Sequence, residues 1–183
     1  MNNYRDLYLI NQIYATLFSL TNKVQIQGDK YYDNLTSRQL MAMMAVLHLP
    51  EEETTLNNIA KKLGTTKQSV KQLITIIEQK GYAVTVPSPL DKRAVNVKIT
   101  ELGKKVMIEC GEKSIDFMAD LSKGLSTEEM EILWMLLKKL YRFDGEEQDG
   151  FEEDVNYKVI EDTDEIEKRA LEKFARRRHS RNG

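Results

Sequence analysis

The run Lys67-Gln68-Ser69-Val70-Lys71-Gln72-Leu73-Ile74-Thr75 interleaves cations and carboxamides with aliphatic residues. At helical spacing, Val70, Leu73, Ile74 and Ile77 use up one side and leave Lys67, Gln68, Lys71, Gln72 and Thr75 on the other. A carboxamide can bridge N6 and N7 of adenine, while an ammonium reaches guanine acceptors or phosphate oxygens. Thr66, just ahead, is a capping type, and a helix N-terminus with a free hydroxyl favours a phosphate. Lysine and glutamine are equally at home on a solvated helix face, so this stretch alone supports either reading. A second candidate is Asp91-Lys92-Arg93, preceded by Pro87-Ser88-Pro89. A protruding arginine can enter a narrow minor groove, where the potential is most negative. Asp91 has the wrong sign to face a polyanion; its expected task is to hold Arg93 or to anchor the wing onto nearby basic side chains. An ordinary charged turn has the same composition.

The elements that must present these residues can be read from local signals. Tyr4 to Leu20 carries Leu7, Ile10, Tyr14, Leu17 and Phe18 at helical spacing without Gly or Pro, and Gly28-Asp29 marks a loop. Thr36 with Gln39 forms a capping box for a helix that carries Leu40, Met43, Met44 and Leu47 inward and stops before Pro50. Thr55 opens a short helix closed by Gly64, Thr66 opens the next, and Gly81 closes that one. Two helices joined by Gly-Thr-Thr predict a helix-turn-helix. The period then becomes two: Tyr82, Val84, Val86, a Pro-rich break, then Val95, Val97, Ile99. That pattern predicts a β-hairpin, a wing behind the helix-turn-helix. Thr100 opens a helix to about Lys123 with Leu102, Val106, Ile115 and Met118 near one stripe. Gly103 and Gly111 each weaken this helix by about 1 kcal/mol relative to alanine. Ser126 with Glu129 opens a strongly apolar helix through Met130, Leu133, Trp134, Leu137 and Leu140. Asp144 to Glu153 reads as an acidic linker, and Asp162 to Arg178 as a last helix through Ile166, Ala170 and Phe174, its acids first and bases last. The expected fold class is mainly α with a small β-hairpin wing: a winged helix-turn-helix with N- and C-terminal dimerisation helices.

Other chemistry has little to stand on. A single cysteine, Cys110, excludes an internal disulfide, and His48 and His179 lie far apart, so no metal site is expected. No nucleotide-binding glycine pattern and no catalytic triad is present; neither an enzyme nor a cofactor is expected. Cys110 could sense oxidants if its pKa were lowered, yet Glu109 and Glu112 raise it while Lys113 lowers it; a packing role is favoured. No apolar run can span a bilayer, and Met1 to Asp6 is polar, so a cytoplasmic protein without a secretory signal is expected. The net charge of −2 hides a segregation. Ser37 to Lys98 has nine bases against five acids, Asp144 to Glu165 eleven acids against Lys158, and Ile166 to the end seven bases against two acids. Local charge decides where a polyanion docks.

Several of these runs together resemble the MarR (multiple antibiotic resistance regulator) family. They are Leu35-Thr36-Ser37-Arg38-Gln39, Ile59-Ala60-Lys61-Lys62-Leu63-Gly64, Ser69-Val70-Lys71-Gln72-Leu73-Ile74 and Glu78-Gln79-Lys80-Gly81-Tyr82. The most specific is Asp91-Lys92-Arg93-Ala94 followed by Ile99-Thr100-Glu101-Leu102-Gly103. The likeness runs over about Tyr4 to Arg142. It implies a winged-helix domain with dimerisation helices over residues 1–143, its DNA-binding part at about 36–100, and residues 144–183 as an extension atypical of the family. It further implies a homodimer that binds duplex DNA at a palindromic operator. Gln68, Lys71 and Gln72 would read bases and Arg93 the minor groove, within a contact set of Arg38, Thr66, Lys67, Gln68, Lys71, Gln72, Thr75, Asp91, Lys92 and Arg93. Many relatives are repressors released by a small ligand or by thiol oxidation.

Independently of the likeness, Leu7, Ile10, Tyr14 and Leu17 with Leu133, Trp134, Leu137 and Leu140 are too apolar to stay exposed, and an intersubunit core is expected. Burial against the winged domain of the same chain is the competing arrangement. Met41, Met43 and Met44 with Tyr14 and Phe18 could line an adaptable pocket for an unknown small-molecule effector, or simply fill the core. The basic end Arg176-Arg177-Arg178-His179-Ser180-Arg181 could add phosphate contacts, the acidic stretch could compete with DNA for the basic face, or both could be a solvated appendage. The function expected is a sequence-specific DNA-binding transcription regulator, a dimeric repressor or activator. The alternative is a winged-helix protein-interaction module without operator binding.

Overall fold

The structure, a computed structural model, describes residues 3–145, residue 151 and residues 163–179. Its elements follow the order α1 Asn3–Gly28, α2 Ser37–His48, α3 Leu56–Lys62, α4 Lys67–Gln79, β1 Ala83–Pro87, β2 Val95–Ile99, α5 Glu101–Ser122, α6 Thr127–Tyr141 and α7 Thr163–Arg178. The helix starts stand where the capping residues put them. Thr36 accepts the Gln39 N–H at 3.2 Å while the Gln39 carboxamide accepts the Thr36 N–H at 3.2 Å. Ser126 and Glu129 form the same reciprocal box. Thr55, Thr66 and Thr100 accept the N–H of Asn58, Ser69 and Gly103. Each such cap is worth about 1 kcal/mol. Gly64 (φ 59°) and Gly81 (φ 76°) close α3 and α4 in the left-handed region that a side chain resists.

The core is one cluster built from α2, α3, α4, the hairpin and the first half of α5. Met43, Ile59, Val70, Ile74, Ile77 and Val97 are sealed from solvent at its centre. Burying each such aliphatic side chain contributes about 1.5–3 kcal/mol. The β1–β2 pair is antiparallel in the register Ala83↔Ile99, Thr85↔Val97 and Pro87↔Val95.

Three expectations need correction. Helix α1 runs on to Gly28 because nothing between residues 21 and 27 breaks it. The inward face of α5 is Gly103, Val106, Met107, Cys110 and Phe117, whereas Leu102 and Met118 are exposed. The position of the hairpin turns the helix so that Gly103, not Leu102, meets it. On the hairpin itself, Ala83 and Val97 point inward, Val84 is exposed, and polar Asn96 is buried. The reason lies outside the two strands. The Val97 N–H donates to the Thr54 carbonyl at 3.0 Å, Thr55 bridges to Asn96, and the Asn96 amide donates to the Glu51 carbonyl at 3.0 Å. The turn before α3 thus acts as a third edge.

The long helices stand apart from this core. No residue of α6 is buried, and Gly28 is the one buried residue of α1. The start of α2 presses on that glycine, where a Cβ would stand 2.6 Å from the Ser37 hydroxyl. The end of α6 returns to the helix-turn-helix, placing the Tyr141 hydroxyl 3.6 Å from a Cβ built on Gly64.

Candidate nucleic-acid interface

Helix α4 divides as its spacing requires. Val70, Ile74 and Ile77 are buried, and Lys67, Gln68, Lys71, Gln72 and Thr75 are exposed. Arg38, at the start of α2, is exposed as well. Two hydroxyls in the set are partly engaged: Thr66 accepts the Ser69 N–H at 3.2 Å and meets the Ser69 hydroxyl at 3.0 Å, and Thr75 donates to the Lys71 carbonyl at 2.9 Å. Thr66 therefore acts first as a cap, while the lysine and glutamine heads carry the hydrogen-bonding capacity of the face.

The hairpin tip is a hydrogen-bonded turn. The Asp91 carboxylate accepts the Arg93 N–H at 2.8 Å, and its carbonyl accepts the Ala94 N–H at 2.9 Å. The Ser88 N–H donates to the Ala94 carbonyl at 3.0 Å, closing the base of the loop. Asp91 thus holds the backbone of Arg93, a more specific task than the two expected of it. Asp91, Lys92 and Arg93 are all exposed.

A tie between hairpin and helix escaped the sequence reading. The Glu78 carboxylate, in the last turn of α4, accepts the Thr85 N–H of β1 at 2.8 Å. The turn before α3 holds the opposite edge, so both edges of the wing are fastened to the helix-turn-helix. A glutamate near a helix end carries no sequence signal for such a role. Counting local charge also overstated the free cations. Lys80 donates to the Asn34 carbonyl at 2.8 Å and the Gln39 carboxamide at 3.0 Å, Lys98 pairs with Glu51, and Lys62 is buried. The cations of the candidate contact set are the exposed Arg38, Lys67, Lys71, Lys92 and Arg93.

Cys110 lies in the core, and burial pushes its thiol up from the ordinary range, opposite to what a sensing thiol needs. His48 ends α2 with its ring 5.0 Å from that of Phe151, and burial together with Lys62 lowers its pKa. A pocket combining Met43 with Tyr14 and Phe18 does not form within the protomer: Met43 is sealed in the core, while Tyr14 and Phe18 are exposed on α1. Among the described residues no group of three or more His, Cys, Asp and Glu is placed to hold a metal ion, and no helix is long and apolar enough to cross a membrane.

The candidate dimerisation residues lie on two of the long helices. Leu7, Ile10 and Tyr14 on α1 and Leu133, Trp134 and Leu137 on α6 are exposed, and Leu17 and Leu140 half-buried. Even Trp134 retains 37% of its surface to solvent, so burial against the winged domain of the same chain is not what these side chains do.

Comparison with known proteins follows the same outline. Residues 33–94 match the model of the MarR family. The chain is similar to MepR of S. aureus, solved as a DNA complex, at 24% identity and a TM-score of 0.62, over 70% of this chain and 96% of that one. It is similar to a MarR/EmrR family transcriptional regulator from Acinetobacter sp. ADP1 at 20% identity and a TM-score of 0.66, over 75% and 97%. A mutant of MarR from E. coli complexed with operator DNA matches at 24% identity and a TM-score of 0.57, over 72% and 97%. Those chains are spanned almost end to end, and a quarter or more of this one is left over.

Proposed function

We propose, from the premise that residues 33–94 of this chain belong to the MarR family, that the protein is a DNA-binding transcription regulator working as a homodimer. In this reading α4 enters the major groove, where Gln68, Lys71 and Gln72 meet base edges, and Arg93 at the wing tip reaches the neighbouring minor groove. Arg38, Thr66, Lys67, Thr75 and Lys92 contact the backbone around them, and Asp91 shapes the tip. The observation that carries the reading is that all ten of these side chains are exposed while α2, α4 and the hairpin, which carry them, pack into one core. Two such modules need a two-fold partner, which the exposed apolar faces of α1 and α6 support; half-sites would then lie about 34 Å apart. The protein works in the cytoplasm, without catalysis, as repressor or activator according to where its operator lies.

Titration of salt against affinity for duplexes from the protein's own promoter region tests this. Affinity should fall steeply with salt, and Arg93→Ala and Lys71→Ala should each weaken binding by about 1–3 kcal/mol. Undetectable affinity for every such duplex at low salt would leave the protein-interaction module as the better description.

A further inference from the structure

The segment joining α1 to α2 is one tie between the long helices and the winged helix, and α5 grips it at three points. The Tyr31 hydroxyl donates to Asp120 at 2.7 Å, and the Tyr31 ring packs on Phe117 at a centroid distance of 5.3 Å. The Tyr32 hydroxyl meets the Ser114 hydroxyl at 2.8 Å. Asp33 pairs with Lys113. Phe117 lies four residues after Lys113, three after Ser114 and three before Asp120, so these positions share one face of α5. Asp29, at the start of the connector, accepts the Ser37 N–H at 2.6 Å and so ties it to the first turn of α2.

Helix α7 packs on α5 beside this grip. Lys173 pairs with Asp116 at 2.8 Å and donates to the Glu112 carbonyl at 3.1 Å. Arg177 pairs with Asp116 at 3.4 Å and with Asp120 at 2.6 Å, and Arg178 donates to the Leu125 carbonyl at 2.6 Å. Lys173 and Arg177 are four residues apart, as are Asp116 and Asp120, so cations and anions meet in register. One atom joins the two systems: Oδ2 of Asp120 accepts both the Tyr31 hydroxyl and the Arg177 guanidinium. The guanidinium also lies 6.0 Å from the centre of the Tyr31 ring. The extension touches the winged helix too, through Phe151 against His48 and with the Lys62 ammonium 5.8 Å from its ring.

We propose that Arg177 is a positioning residue: by orienting the Asp120 carboxylate toward Tyr31, helix α7 latches the α1–α2 connector onto α5 and holds the winged helix at a set angle to the long helices. The guanidinium and the Tyr31 hydroxyl meet on Oδ2 of Asp120 while Lys123 pairs with Oδ1 at 3.6 Å, so loss of Arg177 leaves the carboxylate free to swing away from Tyr31 toward Lys123 or solvent. The consequence for operator affinity rests on the function proposed above; the latch itself does not. Lys173 and Arg177 are thereby assigned to α5 and Arg178 to the turn that follows it, in place of phosphate contacts by those residues.

The test is hydrogen–deuterium exchange on the full chain, comparing wild type with Arg177→Gln, Arg177→Lys and Tyr31→Phe. Arg177→Gln and Tyr31→Phe should each speed exchange in peptides covering residues 29–36 by about tenfold, with residues 56–79 unchanged, and Arg177→Lys should restore most of the protection. In Arg177→Gln the α7 peptides should also exchange faster; in Tyr31→Phe they should not. Connector exchange that is the same in wild type and Arg177→Gln while α7 is released would overturn the latch. Duplex affinity, measured on the same samples, should drop severalfold in Arg177→Gln. If the wild-type protein binds no duplex, the regulator reading fails, and connector exchange still decides the latch.

Discussion

Asp120 is the residue at which the least was legible beforehand. In the sequence it is one of many acids on a helix. In the fold its carboxyl is held well below the ordinary carboxylate range, first by the Arg177 guanidinium and next by the Tyr31 hydroxyl. A carboxyl whose folded pKa is depressed adds stability that is fully present above its unfolded pKa of about 3.9 and is lost as pH falls from there toward the folded value. The difference in melting temperature between wild type and Arg177→Gln should therefore be constant from neutral pH down to about pH 5 and shrink below about pH 4. A difference that persists undiminished at pH 2.5 would mean that Arg177 stabilises by packing rather than by charge. The residues proposed to face DNA are the opposite case. Lys71 and Gln72 were legible because exposure follows from the apolar residues that use up the other side of α4, and Arg93 because it stands in a Pro-flanked turn; no distant partner is needed to define either.

At the scale of elements, capping chemistry wrote most boundaries into the sequence, and the two glycines of α5 show where that language stops. Both read as equal weaknesses of about 1 kcal/mol in a helix interior. A Cβ on Gly103 would stand 2.1 Å from the Tyr82 carbonyl oxygen and 2.9 Å from a methyl of Ile99, whereas one on Gly111 meets nothing within 4 Å. Gly103→Ala should destabilise the protein despite its better helix propensity, by about 2 kcal/mol or more, since backbone must move. Gly111→Ala should raise stability by up to about 1 kcal/mol. Chemical denaturation of the two variants beside wild type checks both signs. The stripe assigned to α5 failed for the same reason. Leu102 and Met118 lie at plausible spacing, yet the buried side is the one carrying Gly103, Val106 and Cys110, with Gly103 against Tyr82 and Ile99 of the hairpin region.

At the scale of the molecule, two bodies of different character share one chain. The winged helix has a closed core; α1 and α6 have apolar faces and almost no buried residues of their own. Surfaces of that kind rarely persist on a soluble monomer. Truncation after Phe143 removes α7 and the acidic stretch but leaves α1 and α6 whole, so light scattering should still report a dimer. A monomer after that truncation would move the interface into the extension. The same truncated protein should show the loosened connector expected of Arg177→Gln, because both lose the guanidinium beside Asp120.

The sequence by itself determined the helix-turn-helix, the wing, the exposed face of α4 and the turn at Arg93. Each depends on residues within a few positions of one another: a threonine and the amide three residues on, a glycine after a helix, aliphatic residues at a fixed period. Tertiary structure alone decided which side of α5 faces inward, why Gly103 is glycine, how Glu78 and Thr54 fasten the wing, and that the basic tail lies on Asp116 and Asp120. Those contacts join distant parts of the chain, and the docking that pairs them is set by the shape of the assembled core, which no local spacing encodes.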